Sequence, residues 1–239
     1  MSLADQKRTR HFYGRRKGRP LNPARQKALD ALLPQLQIPG NDIDETGAFD
    51  PCTLFCFSPN RVFFEIGFGN GAHLLSLVQN YPNDAFLGAE PFINGMSAFL
   101  KDLEHEKTHN ICVLMDDAFM LVNSLCDSSL DGIYILNPDP WPKPKHHKRR
   151  IINSDTLTRF ARILKPGGRL YITTDSDSMA GWVVRHGIQH DDFIWTARRC
   201  ADWRTPPHDW QPTRYEQKGQ QAGHQQYYLA FVRRNDHNA

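Results

Sequence analysis

The sequence predicts an α/β fold built on a doubly wound, mostly parallel seven-stranded sheet. Three observations lead there. Short runs rich in β-branched and aromatic residues alternate with stretches of helical spacing, the pattern of a parallel sheet flanked by helices. A glycine-rich turn, Gly67-Phe68-Gly69-Asn70-Gly71, joins the first strand directly to a helix. Acids stand at the ends of the later strands: Glu90, Asp116-Asp117, Asp139 and Asp175. In such sheets ligands bind beyond the carboxyl ends of the strands, so a row of acids on that edge makes a site for hydroxyls and cations.

The elements follow in order. Residues 1–21 read as a basic arm, disordered in the free protein, and 22–239 as a single domain. Asn22-Pro23 caps a helix over 24–36, and Pro39-Gly40 ends it. Residues 41–60 are irregular. A strand over 61–66 meets the glycine turn, and Leu74, Leu75 and Val78 give 72–80 a helical face. A strand over 85–89, a helix over 94–105 and a strand over 111–115 come next. A helix over 118–126 leads to a strand over 132–136. A helix over 155–164 stops at Lys165-Pro166-Gly167-Gly168, because proline and glycine end helices. Residues 169–174 form the fifth strand and 178–189 a helix. Late strands over 193–199 and 226–233 are separated by a polar segment rich in Pro and Gln, which reads as loop.

At 239 residues the chain can bury a substantial core. It has no apolar stretch long enough for a bilayer, and its basic N-terminus lacks an apolar h-region, so a soluble, cytoplasmic protein is expected. Cys52, Cys56, Cys112, Cys126 and Cys200 are odd in number and scattered. They suggest neither a disulfide framework nor a metal site. The net charge of +3 is modest but uneven. Lys7, Arg8, Arg10, Arg15, Arg16, Lys17, Arg19 and Arg25 cluster without an acid, and Phe12 and Tyr13 interrupt them. Lys143, Lys145, Lys148, Arg149 and Arg150 form a second cluster. Two such patches on a near-neutral chain suit a polyanion, and aromatics among cations can stack on bases.

The glycine turn lets the backbone approach a ligand closely. Its spacing is weak evidence on its own, and a nicotinamide dinucleotide and S-adenosyl-L-methionine both fit it. Glu90, some twenty residues on, is placed to accept from two ribose hydroxyls. Glu65, just before the first glycine, favours a ligand with an ammonium or sulfonium over one with a pyrophosphate. Asp117 can accept from an adenine amino group. A nucleoside carrying an amino acid fits this set better than a dinucleotide.

The fourth strand runs into Asn137-Pro138-Asp139-Pro140-Trp141-Pro142-Lys143. Prolines hold this loop in one shape. One carboxylate and one large aromatic on a rigid loop suit the placing of a flat polar ring, and the cations behind it suit phosphates.

Taken together, Glu65-Ile-Gly-Phe-Gly-Asn-Gly71, Asn137-Pro-Asp-Pro-Trp-Pro-Lys143, His146-His-Lys-Arg-Arg150, Thr174-Asp175 and Thr213-Arg-Tyr-Glu216 resemble the bacterial tRNA (guanine-N7-)-methyltransferases over roughly residues 60–232. The resemblance implies a Rossmann-like class I methyltransferase fold, S-adenosyl-L-methionine as methyl donor, and a variable-loop guanine of tRNA as acceptor. It implies that Glu65, Gly67, Gly69, Gly71, Glu90, Asp117 and Asp139 line the cofactor and that Asp139 is catalytic. It places Lys143, Asp175, Thr213, Arg214, Tyr215 and Glu216 at the substrate. Lys145, Lys148, Arg149 and Arg150 then face the RNA backbone. No metal and no membrane are implied, and a monomer is expected. Asn137 departs from the family pattern, and Asn-Pro-Asp-Pro-Trp also resembles the Asn-Pro-Pro-Tyr loop of enzymes that methylate amino groups. An amino nitrogen therefore stands as the alternative acceptor. Guanine N7 carries an in-plane lone pair and no proton, so the reaction needs alignment and charge stabilisation rather than a general base.

Overall fold

A computed structural model describes residues 14–40, 43, 47–103, 109–207 and 210–235. Seven strands form one sheet: β1 (Val62–Ile66), β2 (Ala85–Ala89), β3 (Ile111–Leu114), β4 (Leu130–Leu136), β5 (Leu164–Thr174), β6 (Phe193–Trp195) and β7 (Tyr227–Arg233). Their order is β3-β2-β1-β4-β5-β7-β6. The first five are parallel, and β7 runs antiparallel to both β5 and β6. The direction of winding reverses between β1 and β4, and a crevice opens there at the carboxyl ends of the strands.

Side chains alternate across β1 and divide the core. Phe64 and Ile66 face α4 (Ala118–Ser124), α5 (Ser154–Ile163) and α6 (Asp177–Gln189). Phe63 faces α1 (Pro23–Leu36), α2 (Ala72–Asn80) and α3 (Ile93–Asp102). Glu65 shares the Phe63 side and so points beneath α2. Asn22 caps α1 as expected, its side chain accepting from the Arg25 N–H at 2.9 Å. Asn153 and Thr156 form a reciprocal capping box on α5.

The structure differs from the sequence reading at β6, which ends at Trp195 rather than 199, at β4, which begins at Leu130 rather than 132, and more substantially in three further places. The segment read as loop between the last two strands contains α7 (Ala201–Arg204) and α8 (Arg214–Gln221). Thr213 caps α8, its Oγ1 accepting from the Glu216 N–H at 3.1 Å. The Thr-x-x-Glu spacing was the available signal. β5 starts at Leu164, since the Pro-Gly-Gly turn is taken up within the strand and its register with β4 shifts between Leu130 and Gly132. Residues 14–21 are not a free arm. The Ile93 N–H donates to the Arg16 carbonyl at 3.0 Å, and the Gly18 N–H to Asn94 Oδ1 at 2.8 Å. Asn94 Nδ2 in turn donates to the Arg19 carbonyl at 2.7 Å. Asn94, in the first turn of α3, holds the strap from both sides. The rest of the expected arm, including Phe12 and Tyr13, lies outside the described residues.

Among the described residues no helix is long and apolar enough to cross a membrane, and no cluster of His, Cys, Asp or Glu is arranged to hold a metal ion.

Candidate active site

A cavity of about 220 Å³ lies at the switch point. Gly67, Glu90, Asp117, Asn137, Asp139 and Trp141 are among its lining residues, with Gly14 of the N-terminal strap on one side. Four sequence-predicted cofactor residues thus meet in one place, each set there by a strand end. The Gly67 N–H donates to the Ala89 carbonyl at 2.8 Å, which seats the start of the glycine loop against the end of β2.

The loop is closed from below by side-chain contacts and close packing. Glu90 Oε2 accepts from the Gly69 N–H at 2.7 Å, and Oε1 from the Phe92 N–H at 2.8 Å. Gly71, at φ 72°, caps α2, and a Cβ there would stand 2.3 Å from the Phe99 ring. Packing alone therefore requires glycine at position 71. Gly95, which the sequence reading did not single out, matters equally. A Cβ on it would sit 2.5 Å from the Gly69 carbonyl oxygen, so α3 can approach the loop only with glycine there.

Glu90 is the most electrostatically perturbed acid of the site. Burial pushes its pKa up to about 7, the two backbone N–H bonds pull it down, and the nearby Glu65 and Asp139 charges push it up again. Asp117 lines the cavity and caps α4, accepting from the Phe119 N–H at 3.0 Å. Asp116 beside it pairs with Arg16 of the strap at 2.6 Å. Asp139 is exposed at the cavity. Among the described residues no hydrogen bond or ion pair engages its carboxylate.

The Pro loop carries two non-glycine residues in the left-handed region, Asn137 at φ 48° and Trp141 at φ 42°. Such backbone persists only where surroundings impose it. Here the Asn137 N–H donates to the Thr173 carbonyl at 3.0 Å, and Asn137 Oδ1 accepts from Gln226 Nε2 at 2.8 Å. Gln226 was not found by the sequence reading, because no local pattern links residues so far apart.

Several residues stand elsewhere than the sequence reading put them. Arg150, read as a phosphate contact, is only 2% exposed. It donates to the Pro140 carbonyl at 2.8 Å and to Ser178 Oγ at 2.9 Å, and it lies over the Trp182 ring. It braces the Pro loop and cannot reach a phosphate. Arg149, given the same role, lies 4.8 Å over Trp141 at the cavity. Lys143, Lys145 and Lys148 are exposed as expected, on and beside a 3₁₀ turn over Pro144–Arg149. Glu65 is buried beneath the loop, where His73 Nδ1 lies 2.8 Å from its Oε2, and it does not line the cavity.

On the β5 side, Asp175 Oδ2 accepts from the Tyr215 hydroxyl at 3.1 Å and lies 3.3 Å from His224 Nδ1. The structure therefore brings Asp175 and Tyr215 together, with Arg214 exposed beside them. Glu216 is a correction. It is 1% exposed and accepts from Trp210 Nε1 at 3.0 Å and from the Tyr228 hydroxyl, so it organises the segment from within. Burial and this contact raise the Tyr228 pKa above its ordinary value.

The strand order and a nucleoside-sized crevice rimmed by acids define a Rossmann-like class I methyltransferase. A solved 16S rRNA (adenine(1408)-N(1))-methyltransferase from Catenulisporales acidiphilia has the same fold, with a TM-score of 0.51 at 16% identity over 75% of this chain and 90% of that one. The family described as "Putative methyltransferase" matches residues 59–229. The tRNA (guanine-N(7)-)-methyltransferase of Rhizobium meliloti (strain 1021) is 44% identical, over 94% of this chain and 96% of that protein. Its counterpart from Bartonella quintana (strain Toulouse) is 43% identical, over 93% and 95%. The chain belongs to the tRNA (guanine-N(7)-)-methyltransferase family.

Proposed function

We propose that this protein transfers a methyl group from S-adenosyl-L-methionine to N7 of a guanine in the variable loop of tRNA. The observation that supports it best is the convergence of Glu90, Asp117 and Asp139 on the switch-point cavity beside the exposed Lys143, Lys145 and Lys148. The fit to the cofactor can be tested on chemistry. Glu90 offers a carboxylate already shaped by two backbone donors, which suits a vicinal diol. Asp117, which lines the cavity, offers a carboxylate acceptor for an adenine amino group.

S-adenosyl-L-methionine, when bound, supplies an electrophilic methyl on a sulfonium. The chain's own residues do the rest. The Pro loop holds the acceptor ring in a single plane through its imposed backbone. Asp139 faces the ring and stabilises the positive charge that grows on it, because a fixed carboxylate needs no reorganisation as charge appears. No side chain has to remove a proton, since N7 carries none. The three exposed lysines and Arg214 hold phosphates and set the register of the RNA.

The test is to incubate the protein with unmodified tRNA and methyl-labelled S-adenosyl-L-methionine, then digest and identify the labelled nucleoside. 7-Methylguanosine is expected. A methylated amino nitrogen would move the acceptor atom and turn attention to Asn137.

A further inference from the structure

Glu65 and Glu216 are the most deeply buried acids among the described residues, 2% and 1% exposed. A buried carboxylate must be partnered, and one continuous set of side chains partners both. His73 Nδ1 stands 2.8 Å from Glu65 Oε2. The His73 ring packs against the Trp210 indole, with centroids 4.7 Å apart. Trp210 Nε1 donates to Glu216 Oε2 at 3.0 Å. The Tyr228 hydroxyl, together with Gln220 Nε2 at 3.3 Å, occupies the other Glu216 oxygen. Tyr134 closes the edge of the His73 ring at 4.8 Å. Glu65 sits at the root of the glycine loop. Glu216 follows Tyr215, which reaches Asp175 on the opposite half of the site.

We propose that His73 and Trp210 are positioning residues that tie the glycine loop to the Thr213–Glu216 segment, so that cofactor and acceptor are held in one geometry. This rests on the methyltransferase reading above. The physical argument is directional. Apolar packing alone would fill this space at no desolvation cost, whereas an imidazole engaged by Glu65 and an indole N–H engaged by Glu216 each admit one orientation. In-line transfer is sensitive to displacements of an ångström or less, and the glycine loop and the first turn of α8 lie far apart in the chain.

The experiment is a double-mutant cycle with His73→Gln and Trp210→Phe, which keep most of each side chain's volume. For each variant, S-adenosyl-L-methionine dissociation constants, tRNA KM and kcat are measured beside thermal unfolding. The proposal expects effects across the site. His73→Gln raises tRNA KM and Trp210→Phe weakens S-adenosyl-L-methionine binding, each by about threefold or more, and the double variant is little worse than the worse single one. It is overturned if each variant affects only its own side and the losses multiply. Should either variant unfold, Tyr228→Phe removes the hydroxyl bond to Glu216 while keeping the ring that packs edge-on against Trp210, and weaker S-adenosyl-L-methionine binding is again the expected result, unchanged binding the overturning one. If the unaltered protein forms no 7-methylguanosine, the functional reading fails. Cofactor binding by Trp210→Phe still decides the link.

Discussion

The two halves of the site are built differently. On the β1–β3 side, backbone makes the site. The glycine loop follows its strand without a gap, and Glu90 gathers two N–H groups from chain close to it in space. On the β4–β7 side, side chains make it. Asn137 is held by Gln226, Asp175 by Tyr215 and His224, and the Pro loop by Arg150 reaching Ser178. On the function proposed above, the first half would serve a ligand of constant shape. The second would accommodate one ring of a macromolecule, and side-chain contacts can be arranged around it while the sheet stays fixed.

The largest expected effect breaks the acceptor half. Asp139→Ala should lower kcat by about 100-fold or more while changing tRNA affinity little, since the carboxylate acts on charge that appears only during transfer. Equal losses in kcat and affinity, read from single-turnover rates and filter binding, would sink its catalytic role.

The next tests the cofactor half through protonation. With the Glu90 pKa pushed up to about 7, the carboxyl of the free protein is increasingly protonated below that pH. The ionised form is the better acceptor for ribose hydroxyls. S-adenosyl-L-methionine binding, followed by calorimetry, should therefore weaken as pH falls through about 7, and Glu90→Gln should bind weakly and lose that dependence. The linkage to stability has the opposite sense. The folded state binds the extra proton, so the free protein gains stability as pH drops from about 7 toward 4.5.

A smaller effect separates two neighbouring cations. Arg150→Met should destabilise the fold by about 2–3 kcal/mol, because a buried guanidinium bonded to Pro140 and Ser178 and packed on Trp182 is lost. Lys148→Met should leave the melting temperature alone and reduce the salt dependence of tRNA binding by about one unit of slope. Reversed results would mean that burial has been assigned to the wrong residue of the pair. The smallest effect lies in the strap. Arg16→Ala removes one exposed ion pair to Asp116, and an affinity loss for S-adenosyl-L-methionine of only about twofold is expected.

The same contrast governs what could be read from sequence. The alternation of strands and helices, the glycine loop, the acids at strand ends and the Pro loop are local patterns, and all were legible. Their convergence on one crevice follows from parallel connectivity alone, because every strand of a βαβ unit ends on the same edge. Family resemblance brought Thr213–Glu216 to notice, but a motif names residue types and not the direction in which each side chain points. Within one basic cluster Lys148 faces solvent, Arg149 lies on Trp141, and Arg150 is buried. Within one motif Tyr215 is exposed and Glu216 is buried.

The sequence by itself determined the sheet class, the position of the ligand crevice and the chemistry at its rim, because period, turn residues and strand-end acids act over a few residues. Tertiary structure alone decided that Arg150 and Glu216 hold the site from within, that the strap from Gly14 lies against the cavity, and that His73 meets Trp210. Those outcomes depend on contacts between residues distant in the chain, set by packing across the face of the sheet, and no local pattern encodes them.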